Sequence, residues 1–297
     1  VSFDKKDIRA FVEDLQGLPT IPKVGMRIIE LASDPEVSIE DLTAAMRQDP
    51  SLAARVLKVA NSPFYGTARR VDSLQLAVVI LGLNEVRTIA LGITFFDVIK
   101  KFNPELSQFR EAFWFHCAAC GIISRILGRK LDVGGDGSDF IAGLLHDIGK
   151  IVIDACFSGK FVTVFNETFT HKPPMLAAER EVIGGTHEEF GCWLAEKWRL
   201  PQTICSAIAH HHTLPERPSS DLIDDPKLVA LSYVAEAFCE HYELGWDGDD
   251  GESSLRREEV WDVLLSGQRA YTERDIDTIL TETLQVFSEA RPRLLWE

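Results

Sequence analysis

The chain has 297 residues, 45% of them hydrophobic, and a formal net charge of −15. That supports a sizeable core in one large domain or two, and it makes nucleic acid a poor partner, because a sequence-independent hold on a phosphate backbone needs a basic surface. No apolar run reaches the roughly eighteen residues needed to span a bilayer, and the opening Val1–Lys6 lacks the form of a signal peptide, so the expectation is a soluble, cytoplasmic protein with no membrane partner.

Helical signals dominate and strand signals are nearly absent. Ser38-Ile39-Glu40-Asp41 opens a helix with a hydroxyl cap and acids in the first turn. Asp49-Pro50 opens the next, and Leu52, Val56, Leu57 and Ala60 share its apolar face until the run Asn61–Gly66 stops it. Ser73 caps a helix with Leu74, Ala77, Val78 and Leu81 turned inward and Gly82 as its stop. Asn84 begins another, through Val86, Ile89, Ala90 and Ile93. Beyond Phe102-Asn103-Pro104, a long helix carries Phe109, Ala112, Phe113, His116 and Cys120 on one side. Val133–Ser138 reads as a loop, and Phe140, Leu144 and Ile148 mark a helix bearing His146-Asp147. A turn at His171–Pro174 and a Gly184-Gly185 break precede a helix opened by His187, with Phe190, Trp193 and Leu194. Pro201 starts the next, where Ile204, Ala207, Ile208 and His211 share a face. After a polar loop from Pro215 to Asp225, a helix from Leu228 to Cys239 carries Glu236. A Gly/Asp-rich linker from Gly245 to Ser253 leads to two last helices, about Leu255–Leu265 and Glu273–Ala290. The fold class expected is all-α.

The run Gly143-Leu144-Leu145-His146-Asp147-Ile148-Gly149-Lys150 sets an imidazole and a carboxylate side by side in an apolar stretch, which is costly unless something binds them. Five of the eight histidines form a series on helix-compatible positions: His116, His146, His187, His211 and His212. With Asp147 and Glu236 they resemble metal sites that draw ligands from several facing helices of a bundle. A mixed His/carboxylate set suits iron or manganese, with zinc, nickel or cobalt as alternatives, better than calcium or magnesium. One or two ions are expected. Asp147 could bridge two of them, and Lys150, a turn from His146, could reach a phosphate oxygen beside them. Singly, each residue has a plainer reading: a core histidine on a carbonyl, a helix-end imidazole at His211-His212, an ion-pair partner at Glu236, a solvated helix end at Lys150. His210 and His241 read as peripheral. The six cysteines read as buried thiols, and Cys117-Ala118-Ala119-Cys120 lacks the second CxxC of a zinc ribbon and the histidine of a haem site.

These residues resemble the HD superfamily, and most closely its HDOD subfamily. The opening Leu18-Pro19-Thr20-Ile21-Pro22, the stretch from Asp49-Pro50-Ser51-Leu52 to Ala60-Asn61-Ser62-Pro63-Phe64-Tyr65-Gly66, and the helix from Ser73-Leu74 to Leu81-Gly82 carry that resemblance. It covers about residues 10 to 245. It implies an N-terminal helical lobe over residues 1–105, packed on an HD-type metal-binding core over 106–245, with a C-terminal helical extension over 250–297. The second half is similar to HD-GYP phosphohydrolases: His116 matches the leading histidine, His146-Asp147 the doublet, Lys150 the lysine that follows, His187 the next histidine and His211-His212 the later pair. Glu236 stands where those enzymes have a last aspartate. Thr213-Leu214-Pro215-Glu216 replaces their Gly-Tyr-Pro signature, so cyclic-di-GMP hydrolysis is not implied. What the resemblance implies is a signalling or regulatory protein with a metal site and a protein partner. The alternative is a metal-dependent phosphohydrolase on a nucleotide or other phosphate-containing small molecule, with Asp147 and Lys150 as its catalytic residues.

Overall fold

The computed structural model describes residues 20–32, 36–62, 65–100, 110–134, 136–171, 173–212, 223–246, 248, 254–267 and 271–290. Every regular element among them is a helix: α1 Lys23–Ala32, α2 Ile39–Arg47, α3 Pro50–Ala60, α4 Leu74–Leu81, α5 Leu83–Lys100, α6 Arg110–Leu131, α7 Ser138–Leu145, α8 Ile148–His171, α9 Met175–Val182, α10 His187–Lys197, α11 Gln202–His210, α12 Pro226–His241, α13 Glu258–Leu264 and α14 Glu273–Ala290. None is long and apolar enough to cross a membrane. The described residues divide into a central unit, within 110–283, and an N-terminal unit, within 20–100 together with 284–290.

In the N-terminal unit the expected caps form. Ser38 and Asp41 make a reciprocal capping box on α2. The Ser51 and Leu52 amides donate to Asp49 Oδ1 at 2.9 and 3.0 Å, with Pro50 at the first helical position of α3. The Leu76 amide donates to Ser73 Oγ at 3.2 Å, opening α4, and Gly82 closes it at φ +92°, a left-handed value that suits glycine. Asn61 does more than stop α3: its amide group donates to the carbonyls of Leu57 and Val71 (both 2.7 Å) and accepts from the Val71 amide at 2.8 Å. Ile28, Met46, Val56, Ala60, Ala77 and Val86 are buried. The helix α1 has no counterpart among the sequence expectations. Leu57 and Leu81, expected inward, are only half-buried.

In the central unit, α6 packs on α7 and α12, α8 on α9 and α10, and α11 on α10 and α12. Two glycines set the close approaches. A Cβ at Gly143 would meet Ser124 Oγ and the Cys120 backbone on α6, and one at Gly149 would occupy the His187 carbonyl on α10. Arg125 on α6 holds Asp139 on α7 through both carboxylate oxygens at 3.0 Å, with both residues buried.

The structure corrects three local expectations. His146-Asp147 does not lie within a helix but in the break between α7 and α8. His146 keeps helical dihedrals (φ −49°, ψ −41°), but its ring Nδ1–H donates to the Gly143 carbonyl at 2.7 Å, and the Lys150 amide donates to the Asp147 carbonyl at 3.0 Å in the first turn of α8. The apolar pattern runs unbroken across this point, so periodicity gives no sign of it. The helix carrying Glu236 starts at Pro226 rather than Leu228, because the Asp225 carboxylate accepts from the Lys227 and Leu228 amides. The start of the expected linker is also fixed: the Trp246 amide donates to the Ala112 carbonyl at 3.2 Å, and Gly245, at φ +89°, lies so close to α6 that a Cβ would meet the His116 amide nitrogen. Phe102–Phe109, Pro63-Phe64 and most of the 215–225 loop lie outside the described residues.

Candidate metal centre

His116 sits mid-helix on α6, His146 and Asp147 in the α7/α8 break, His187 at the first residue of α10, His211 and His212 just past α11, and Glu236 on α12. The structure brings all seven together, and His116, His146, Asp147, His187, His211 and Glu236 are each at most 2% exposed. With Cys120 added they form two groups, within each of which the potential ligand atoms lie within 4.8 Å of one another: His116, Cys120, His146 and Glu236, and then Asp147, His187, His211 and His212.

In the first group, Glu236 Oε2 lies 2.7 Å from His146 Nε2 and 3.0 Å from His116 Nε2, and the two Nε2 atoms are 3.4 Å apart. Cys120 Sγ stands 3.5 Å from His116 Nε2 and 3.5 Å from Glu236 Oε2. In the second, the His187 and His211 Nε2 atoms are 3.3 Å apart, with Asp147 Oδ1 at 3.5 and 3.6 Å from them. Asp147 also reaches toward the first group, its Oδ2 lying 3.5 Å from His146 Nε2. Lys150 Nζ donates to that same Oδ2 at 2.7 Å.

The outer nitrogens of three histidines are committed. His146 Nδ1–H donates to the Gly143 carbonyl and His211 Nδ1–H to the Ile208 carbonyl at 2.8 Å, so each ring also satisfies a carbonyl at the end of a helix. His187 Nδ1–H donates to Glu179 Oε2 at 2.8 Å, which also accepts from the His187 amide. Such partners fix the tautomer that leaves Nε2 as the ligand atom. Neutral rings held this way turn two lone pairs on each other at 3.3 Å between His187 and His211, and a lone pair onto a carboxylate at 2.7 Å between His146 and Glu236. Both arrangements are repulsive unless a cation, either a proton or a metal ion, lies between the atoms. Asp147 Oδ1 and Glu236 Oε1 are buried without a hydrogen-bond partner, which is costly for a carboxylate. The donor set therefore fits a divalent metal.

The electrostatics agree. Burial would push the Asp147 carboxyl up, but Lys150, His146, His211 and His187 hold it well below the usual range. Burial likewise opposes ionisation of Glu236, and His116 and His146 overcome it. Without metal, burial disfavours a charged His187 but the Glu179 carboxylate outweighs it, raising its pKa to about 9. Burial, then the neighbouring His211 and His187, push His212 down, so it is neutral.

Three residues of this neighbourhood were not expected as participants. Glu179 is buried on α9 beside Met175 and Ala178, so its position on the apolar face of that short helix was the available signal. Glu188 accepts from the His212 amide at 3.1 Å. Cys120, read as a packing thiol, lies among the ligand atoms, whereas Cys117, its CxxC partner, joins neither group. The sequence spacing puts Lys150 a turn from His146 on one helix. It lies instead beyond the break, paired with Asp147. His210 is half-buried and His241 exposed.

Among the described residues the regular elements are all helices, and buried histidines and carboxylates converge from α6, the α7/α8 break, α10, the end of α11 and α12. The chain belongs to the HDOD domain family, whose profile matches residues 18–214. It is similar to an HDOD domain protein of unknown function from Geobacter sulfurreducens, at 28% identity and TM-score 0.83, over 97% of each chain. Two structures share the fold: a candidate signal transduction protein from Marinobacter aquaeolei VT8 (23% identity, TM-score 0.72, 95% of this chain and 63% of that one), and a candidate phosphohydrolase from Shewanella amazonensis SB2B (20%, 0.71, 95% and 94%). An uncharacterized protein of Treponema pallidum (strain Nichols) is 24% identical over 284 residues, and the chain spans about half (52%) of its length.

Proposed function

We propose that this chain is a regulatory HDOD protein whose central unit holds one or two transition-metal ions, with iron or manganese as first candidates, and signals to a protein partner. The observation that carries this reading is that each buried group offers four potential ligand atoms. Zinc sites with four protein ligands are characteristically structural, whereas catalytic zinc sites leave a position open, and the same logic applied here favours a structural role. When bound, the ions would tie α6, the α7/α8 break, α10, α11 and α12 together. His146, His187 and His211 would coordinate through Nε2 and Asp147 would span the two groups, while Glu179 keeps His187 in the coordinating tautomer. Occupancy would then set the stability of the surface a partner meets.

The second reading, a phosphohydrolase acting on a nucleotide or other phosphoester, rests on Asp147. Its two oxygens face the two groups, as a carboxylate bridging a two-metal hydrolytic site does. Bound ions would supply Lewis acidity and a water acidic enough to ionise near neutral pH. Lys150, released from Asp147 Oδ2, would meet charge on the phosphate. The metal-loaded protein is to be assayed against a panel of nucleotides, cyclic dinucleotides and simple phosphoesters. The regulatory reading predicts no turnover that Asp147→Asn removes. Turnover abolished by that substitution would replace it with the hydrolase.

A further inference from the structure

The two groups differ in one chemical respect. The second offers only nitrogen and oxygen, whereas the first contains a sulfur. His116 and Cys120 lie four residues apart on α6 and so share a face of that helix. Atoms bound about 2.0–2.3 Å from one tetrahedral ion stand roughly 3.3–3.6 Å from each other. Cys120 Sγ is 3.5 Å from His116 Nε2 and 3.5 Å from Glu236 Oε2, and His116 and His146 Nε2 are 3.4 Å apart. Three edges of the tetrahedron are thus already at the required length. Two more, from Glu236 Oε2 to His146 and His116 Nε2 at 2.7 and 3.0 Å, must open by roughly half an ångström, and the sixth, between Cys120 and His146, lies within 4.8 Å. An independent sign of a ligand is Glu236 Oε1, buried with no hydrogen-bond partner. The plainer role for Cys120 is packing. Against it, Sγ stands 3.5 Å from both His116 Nε2 and Glu236 Oε2 rather than among apolar side chains alone.

Building on the metal-holding reading above, we propose that Cys120 is a thiolate ligand, so that this centre has two unlike positions: His116, Cys120, His146 and Glu236 around one ion, and Asp147, His187, His211 and His212 around the other. On binding, the thiol S–H bond breaks, its proton leaves to solvent, and the sulfur electron pair forms the bond to the metal. No oxidant or reductant is involved. A soft sulfur with two imidazoles selects zinc, cobalt or iron and discriminates against manganese and magnesium, whereas the nitrogen/oxygen position accepts a wider range.

The test is cobalt(II) loading of the full chain, read by bound cobalt per chain and by the near-ultraviolet thiolate-to-cobalt charge-transfer band. The expected result is bound cobalt with the band present, the band lost in Cys120→Ser and retained in Cys117→Ser and Cys239→Ser. Cobalt bound without the band overturns the thiolate ligand and leaves the metal-holding reading intact. No cobalt bound overturns both. A band that survives Cys120→Ser but disappears in Cys239→Ser also overturns the assignment. If Cys120→Ser loses its helical circular dichroism, X-ray absorption of the zinc-loaded native and Cys239→Ser proteins decides instead. One sulfur at about 2.3 Å in both is the expected result, and a shell of nitrogen and oxygen alone, or a sulfur missing from Cys239→Ser, is the contrary one.

Discussion

Arg55–Asp97 in the N-terminal unit and Arg125–Asp139 in the central unit are built alike: one guanidinium nitrogen faces both carboxylate oxygens, at 2.7 and 2.6 Å in the first and at 3.0 Å in the second. Their surroundings are not alike. The side chains of the first pair are 25% and 40% exposed, those of the second 9% and 0%. The N-terminal unit keeps most of its charge near water, in caps and surface pairs with solvent as an alternative partner, although Glu85 and Arg87 are buried. The central unit commits charge to its interior, where each buried group is tolerable only while its partner is present. The same residue types therefore carry different weight in the two units, and the metal centre is the extreme case of the second kind.

Breaking the two pairs gives the largest contrast. Asp139→Asn removes the carboxylate charge that buried Arg125 meets through both oxygens and is expected to cost about 3–5 kcal/mol, whereas Asp97→Asn is expected to cost less than about 1 kcal/mol. Urea unfolding of both variants reads the difference, and equal costs would refute the contrast. Next in size is the metal. At a free concentration about a hundredfold above Kd, an ion that binds only the folded state stabilises it by about 2.7 kcal/mol. A chelator should remove that gain, and thermal unfolding of His146→Ala/Asp147→Ala, which lacks a ligand in each group, should show none of it.

The metal-free protein should also respond to pH through His187. Its folded pKa of about 9 lies above the ordinary 6.5, so its contribution is fully present below about pH 6.5 and is lost as pH rises through about 9. Thermal scans of chelated protein from pH 6 to 10 should show that loss, and metal-loaded protein, in which the ion replaces the proton, should not. The smallest effect belongs to the N-terminal unit: removing the α3 cap with Asp49→Ala should cost about 1 kcal/mol without altering metal content. A loss of metal there would break the separation between the two kinds of region.

The caps were legible because they are local. Ser38, Asp49 and Ser73 each act on amides two or three residues away, within a pattern the sequence displays directly. The histidine series and Asp147 were legible for another reason: titratable side chains inside apolar runs stand out, and the structure gathers His116, His146, His187, His211 and His212 in one place. What was hidden depends on contacts between distant segments. Glu179 looks like one acid on a short helix until the Gly184-Gly185 turn brings it onto His187. Cys120 looks like packing until Glu236, 116 residues away, arrives beside it. The break at His146-Asp147 was invisible because Leu144, Leu145, Ile148 and Ile151 continue the apolar pattern through it. Glu236 was visible as a departure from the aspartate pattern, but that its longer side chain still reaches His146 and His116 could be read only from the helices' spacing.

The central claim is that the buried histidines and carboxylates hold metal, and elemental mass spectrometry on anaerobically purified protein tests it most directly, with His146→Ala/Asp147→Ala prepared in parallel. The expected result is one or two transition-metal ions per chain, lost in the double variant. Protein that holds no stoichiometric metal, even after loading with iron, manganese and zinc, would contradict it and leave the cluster as a proton-bridged structural core.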